Sequence, residues 1–131
     1  MVKRPNEAQE YVDKMYRQRG YILDFHKVLA GEDLEFLKSF NGLVEAAYTD
    51  APELDAKTKE LLYIVALTAV KGSVEHIKTH VRLALERGST KQETLGALKI
   101  ALLVAGVPAF MNGLEAWKQT VNPGSVEPTK G

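Results

Sequence analysis

Apolar residues recur three and four positions apart along most of the chain, and no stretch sustains the strict alternation of a half-buried strand. The pattern predicts an all-α fold of about six helices. From Glu7 to about Leu29 the inward set is Tyr11, Met15, Tyr21, Ile22, Phe25 and Leu29, with Gly20 marking a break or kink. "GEDLEFLKSFNGLVEAAY" (31–48) reads as a second helix, with Asp33 as N-cap and Leu34, Leu37, Phe40, Leu43 and Val44 at helical spacing. "TDAPELDAKT" is a turn in which Asp55 caps the third helix, about Ala56 to Val70. That helix is apolar nearly all round after its first turn, which predicts burial on most sides. A fourth helix runs from Ser73 to Arg87 and stops at Gly88. The fifth opens on the capping box Thr90-x-x-Glu93 and continues to about Ala105. "AGVP" breaks the chain, and Pro108 suits the first turn of a sixth helix ending near Thr120. The third and fifth helices are too apolar for a small monomer to cover, so a symmetric homo-oligomer is expected.

Length and composition narrow the picture. A chain of 131 residues suffices for one domain with its own core, expected over residues 1–120, with 121–131 aperiodic and expected to be flexible. Seventeen basic residues balance seventeen acidic ones, so no net field points to nucleic acid or an anionic membrane. There is no cysteine, which removes disulfides, thiolate nucleophiles, zinc–sulfur sites and dithiol redox chemistry together. "MVKRPNEAQEYVDK" has basic residues with no apolar run behind them, so no signal peptide is expected. "LLYIVALTAV" (61–70) is half the ~20 residues a membrane span needs. A soluble, cytoplasmic protein is the expectation.

The candidate chemistry sits on the fourth helix, in "GSVEHIKTH" (72–80). Val74, Ile77, Val81 and Leu85 share one face, and Glu75, Lys78, Thr79, Arg82 and Glu86 another. Ser73, His76, His80 and Ala84 run along the border, where Ser73, His76 and His80 can point into one space. Three readings are open. Both histidines can be half-buried and hydrogen-bonded. They can be metal ligands, since His-x-x-x-His sets two imidazoles on one face, with Glu60, Glu93 or His26 as a third ligand. Or one can be an acid–base group working near neutral pH.

"LDAKTKELLYIVALTAV…HIKTHVRLALERGSTKQETLGALKIALLVAGVPAFMNGLEAW" resembles the carboxymuconolactone decarboxylase family, within the alkylhydroperoxidase D-like superfamily. The resemblance rests on Lys59-Glu60-Leu61, the histidine of "HVRLALERG", Thr90 with Glu93, and Gly106 with Pro108, in that order and spacing. It implies a helical domain with a core over 54–118, trimers or hexamers, and pockets near subunit contacts. The peroxidase-like branch of the family carries Cys-x-x-Cys-x-x-x-His, which falls here on Ser73, His76 and His80. Neither serine nor histidine can cycle through sulfenate and disulfide, so thiol peroxidase and disulfide reductase activity are excluded.

The decarboxylase branch keeps the histidine that matches His80. The resemblance therefore implies cofactor-free decarboxylation, or a related proton transfer, on a small carboxylated lactone or keto acid. His80 would donate or accept the proton, His76 would tune it or hold substrate, and Glu60 would orient it. Ser73, Glu93, Val104 and Pro108 are expected to contact substrate. Lys71, Lys78, Arg82 and Arg87 are near enough to hold carboxylates but read as solvated surface charges. Tyr63, Phe110 and Trp117 read as core residues that could floor a pocket, and His26 as structural. The chain departs from the family at Gly96, usually acidic, at Val104, often aromatic, and around "VKGSV", which is about one residue longer. These departures touch the expected pocket and so the identity of the substrate. Gly96 suggests either close packing or room for a ligand. Two rivals remain: a metal-binding protein using His76 and His80, and a non-catalytic oligomer.

Overall fold

A computed structural model describes residues 6–129 and divides the chain into two units, one ending at Leu54 and the other starting at Asp55. Among the described residues there are helices and no strands.

The first unit holds α1 (Glu7–Arg19), α2 (Asp24–Glu32) and α3 (Leu34–Val44), followed by a single π-helical turn, Glu45–Thr49. Gly20 does more than kink the expected first helix. It adopts φ 80°, its amide closes on the Tyr16 carbonyl at 2.8 Å, and Leu23 is extended, so α1 and α2 are separate. This break raises the expected six helices to seven. The second boundary also moves, because Gly31 and Glu32 finish α2 and the Asp33 carboxylate caps α3 by accepting from the Phe36 amide at 3.1 Å. Met15, Ala30, Leu34 and Leu37 form the core, flanked by Tyr11, Ile22, Leu29 and Phe40. Phe25 and Leu43, expected inside, are exposed. A polar seam replaces them: buried Arg19 donates to Asn41 and lies 3.1 Å from His26 Nε2, and Asn41 donates to the Tyr11 hydroxyl at 3.1 Å.

The second unit is a four-helix arrangement of α4 (Ala56–Ala69), α5 (Val74–Glu86), α6 (Lys91–Ala105) and α7 (Val107–Val121). Its boundaries agree with the expected ones to within a residue, because each start carries its own chemistry. Asp55 accepts from the Thr58 amide at 2.7 Å and Ser73 from the His76 amide at 3.1 Å. Thr90 and Glu93 exchange bonds of 3.0 and 2.8 Å, and Pro108 occupies the first turn of α7. Ile64, Ile77, Val81, Ala84, Leu98, Ala116 and Trp117 build the core. The Trp117 indole donates to the buried Thr94 hydroxyl at 2.9 Å, which donates in turn to the Lys91 carbonyl at 2.7 Å. No helix among the described residues is long and apolar enough to cross a membrane.

Helix α4 is less enclosed than its composition suggests. Only Glu60, Ile64 and Thr68 are fully buried, while Leu62 and Val70 are exposed, as are Ile100, Leu103 and Val104 on α6. Where α4 meets α7 the backbones come close. A Cβ on Gly113 would stand 2.6 Å from Thr68 Cγ2 and 2.8 Å from Leu98 Cδ2. Gly113→Ala should therefore lower stability by about 1–3 kcal/mol, the usual cost of overpacking. Thr68→Ser in the same chain should recover part of the loss; urea unfolding of the two variants checks both points.

Helix α4 ends at the "VKGSV" stretch. Lys71 sits at φ 57°, where glycine is the usual occupant, and the Gly72 amide reaches back to the Leu67 carbonyl at 2.7 Å. A left-handed non-glycine residue costs ~1–2 kcal/mol. Lys71→Gly should accordingly raise the urea midpoint, and a lowered midpoint would contradict this account of the turn.

Candidate active site

Two helices supply the candidate site. Glu60 and Tyr63, three apart, lie on one face of α4; His76, His80 and Arg87 follow one stripe of α5. His80 and Arg87 are seven residues apart, two turns of helix, so they share nearly one direction. The Glu60 carboxylate receives both: Oε1 is 2.6 Å from His80 Nδ1, and Oε2 accepts from Arg87 Nη1. Glu60 and His80 have no solvent exposure, while the Arg87 side chain keeps 27%. Tyr63 lies flat on the His80 ring, 4.1 Å between centroids with 4° between planes. The His76 ring is 5.3 Å from that of His80 at 46°.

Two expectations are corrected here. His80 is not a half-exposed border residue. With Ile77, Val81, Leu83 and Ala84 it is buried, so the inward face of α5 is wider than the apolar stripe alone indicated. Arg87 is not a solvated charge, because its guanidinium forms an ion pair with the buried carboxylate. Lys78 and Arg82 do belong to the solvent face, pairing with Glu75 at 3.5 Å and Glu86 at 3.0 Å.

The remaining candidates divide. Ser73 is exposed and engaged as N-cap of α5. Glu93 completes its capping box and holds Lys57 at 2.7 Å; that ammonium, then the Thr90 amide, keeps its carboxyl below the usual carboxylate range. Val104 is 78% exposed, and Pro108 is exposed at the corner between α6 and α7. A Cβ at Gly96 would meet nothing within 4 Å, so close packing does not explain that glycine. Trp117 is core, and His26 belongs to the first unit, where the Leu23 amide donates to its Nδ1 at 3.0 Å. Neither of two open cavities reaches the pair. One of about 320 Å³ is lined by Ala8, Gln9, Val12, Lys27, Ala30 and Gly31, and one of about 230 Å³ by Glu75, Lys78, Thr79, Arg82 and Thr120.

An ionised carboxylate only accepts hydrogen bonds, so a Glu60 ionised beside the Arg87 guanidinium would face the protonated nitrogen of His80 and leave Nε2 as its exchanging position. The site can therefore orient an imidazole and move a proton in a water-poor setting. A metal finds no closed set of ligands: among the described residues no three His, Asp or Glu side chains gather to hold one.

The fold and site define a cysteine-free helical protein built around a buried carboxylate–histidine pair. The model of the carboxymuconolactone decarboxylase family matches residues 35–119, well over half of the chain, and the protein belongs to that family. The match begins within α3. No curated protein matches the chain.

Burial holds the His76 pKa below the ordinary 6.5. A histidine depressed in the folded state binds fewer protons there than when unfolded. Its contribution is fully present above the unfolded value and is lost as pH falls below about 6.5 towards the folded value. The stability of wild type relative to His76→Gln should thus decline between pH 7.5 and 5, as read from urea unfolding at each pH.

Proposed function

We propose that this protein is an enzyme that moves a proton on a small carboxylated lactone or keto acid without a cofactor, decarboxylation being the leading case. The observation that carries the reading is the buried Glu60–His80 pair with Tyr63 and His76 against the imidazole. Loss of CO₂ leaves an electron pair that must be delocalised into a neighbouring carbonyl and then protonated. An imidazole held in one tautomer by a carboxylate suits that transfer. Tyr63, His76 and Arg87 are the partly exposed members of the cluster, so a substrate would approach on their side.

Self-association into a trimer or hexamer belongs to the same proposal. Leu62, Val70, Leu103, Val104, Val107 and Met111 are all exposed in the single chain, and a neighbouring copy would cover them. Val104 and Pro108 would act as substrate contacts only once a neighbouring copy enclosed that corner.

The test is CO₂ release from 4-carboxymuconolactone by wild type and His80→Gln, with circular dichroism confirming that both fold. Release by wild type should fall on the order of 10²–10⁴-fold in the variant, the contribution of a positioned acid–base group. Equal release by the two proteins removes His80 from the mechanism. No release by wild type excludes this lactone as the substrate.

A further inference from the structure

The Arg87–Glu60 contact has a consequence for His80 beyond stability. We propose that Arg87 is a positioning residue that keeps Glu60 ionised and so holds His80 as the neutral Nδ1–H tautomer, leaving Nε2 to accept the substrate's proton. This rests on the reading of His80 as the acid–base group.

The backbone at Arg87 is fixed before its side chain acts. As C-cap of α5, Arg87 donates its amide to the Leu83 carbonyl at 2.9 Å. Gly88, at φ 103°, turns the chain, and the Ser89 amide closes on the Ala84 carbonyl at 2.9 Å. The guanidinium then takes Oε2 while His80 takes Oε1, so the two partners divide the carboxylate between them.

Guanidinium does not lose its proton, so Arg87 supplies a permanent positive charge beside Glu60. Arg87, Glu60 and a neutral His80 sum to zero charge. A proton added to His80 in the resting state would place a second cation beside the guanidinium, on a ring with no solvent exposure and with His76 close by.

Without Arg87 the buried Glu60 carboxylate would lose its permanent cation, and a proton taken up by the pair would replace that charge. That proton goes either to the ring, giving imidazolium, or to the carboxyl. A protonated Glu60 donating to Nδ1 obliges the neutral ring to carry its hydrogen on Nε2. Both routes protonate Nε2 and remove the base.

In the wild type His80 therefore enters the cycle as an acceptor. Its Nε2 lone pair takes the proton of the substrate's carboxyl group. The bond between that carboxyl and the carbon skeleton breaks, CO₂ leaves, the electron pair moves into the neighbouring carbonyl, and the imidazolium, stabilised by Glu60, returns the proton to carbon. The substrate class this favours is a carboxylated lactone or keto acid whose carbonyl can take up that electron pair.

The experiment is ¹⁵N NMR of protein labelled at histidine, at pH 7.5, with His80 assigned by the signals lost in His80→Gln. Wild type should show a protonated Nδ1 and a bare Nε2. Folded Arg87→Met should show Nε2 moved to the protonated position, and Arg87→Lys should restore the wild-type pattern. Arg87→Gln, which keeps a donor without the charge, carries the same expectation as Arg87→Met should the latter not fold. A protonated Nε2 in wild type, or a bare one in folded Arg87→Met or Arg87→Gln, overturns the proposal. A purely structural role for Arg87 would lower stability in these variants without moving the proton. The readout needs no substrate, so its failure is separable from a failure of the CO₂ assay.

Discussion

The second unit is organised around one constraint, the carboxylate of Glu60 at zero exposure. A charge at that depth is costly unless it is paired and hydrogen-bonded, and removing one partner of such a pair typically costs about 3–5 kcal/mol. Helices α4 and α5 must therefore pack in the register that brings His80 to one oxygen and Arg87 to the other. A shift of one residue in either helix would rotate a partner away by ~100°. The same rotation would turn Ile64, Ile77 and Val81 out of the core, so the apolar and polar contacts select one register together.

The surrounding packing keeps that register rigid. Gly113 lets α7 approach α4 at Thr68, and the Trp117–Thr94–Lys91 chain of hydrogen bonds ties α7 to the first turn of α6. Asn112 donates to the Gly72 carbonyl at 2.7 Å and so holds the turn that launches α5 and its histidines. Acid–base chemistry profits from such a setting. With little water nearby, a fixed charge acts on its neighbour with less screening, and the imidazole needs no reorientation when it takes up a proton.

The helices and their ends were legible in the sequence. Asp33, Asp55 and Thr90 with Glu93 act within three residues of themselves, and Gly88 and Pro108 act on their own backbone. Gly20 was readable as a break, though not how complete the break is, because a left-handed cap also depends on how the next turn packs. The site was half legible. Glu60, His76 and His80 could be named from the resemblance, and the i, i+4 spacing put the histidines together. Arg87 reads from the sequence as a surface charge, and Tyr63 only as a core residue that could floor a pocket. The available signal was the spacing of seven between His80 and Arg87, which puts both on one side of α5.

By itself the sequence determined the all-helical fold class, the helix boundaries of the second unit and the exclusion of thiol chemistry. Each follows from composition or from interactions between residues a few positions apart. Tertiary structure alone decided that His80 is buried, that Tyr63 stacks on it, and that Arg87 and His80 share one carboxylate. Those contacts join residues 17, 20 and 27 positions apart. Local periodicity says which face of a helix points inward, and only packing says what that face meets.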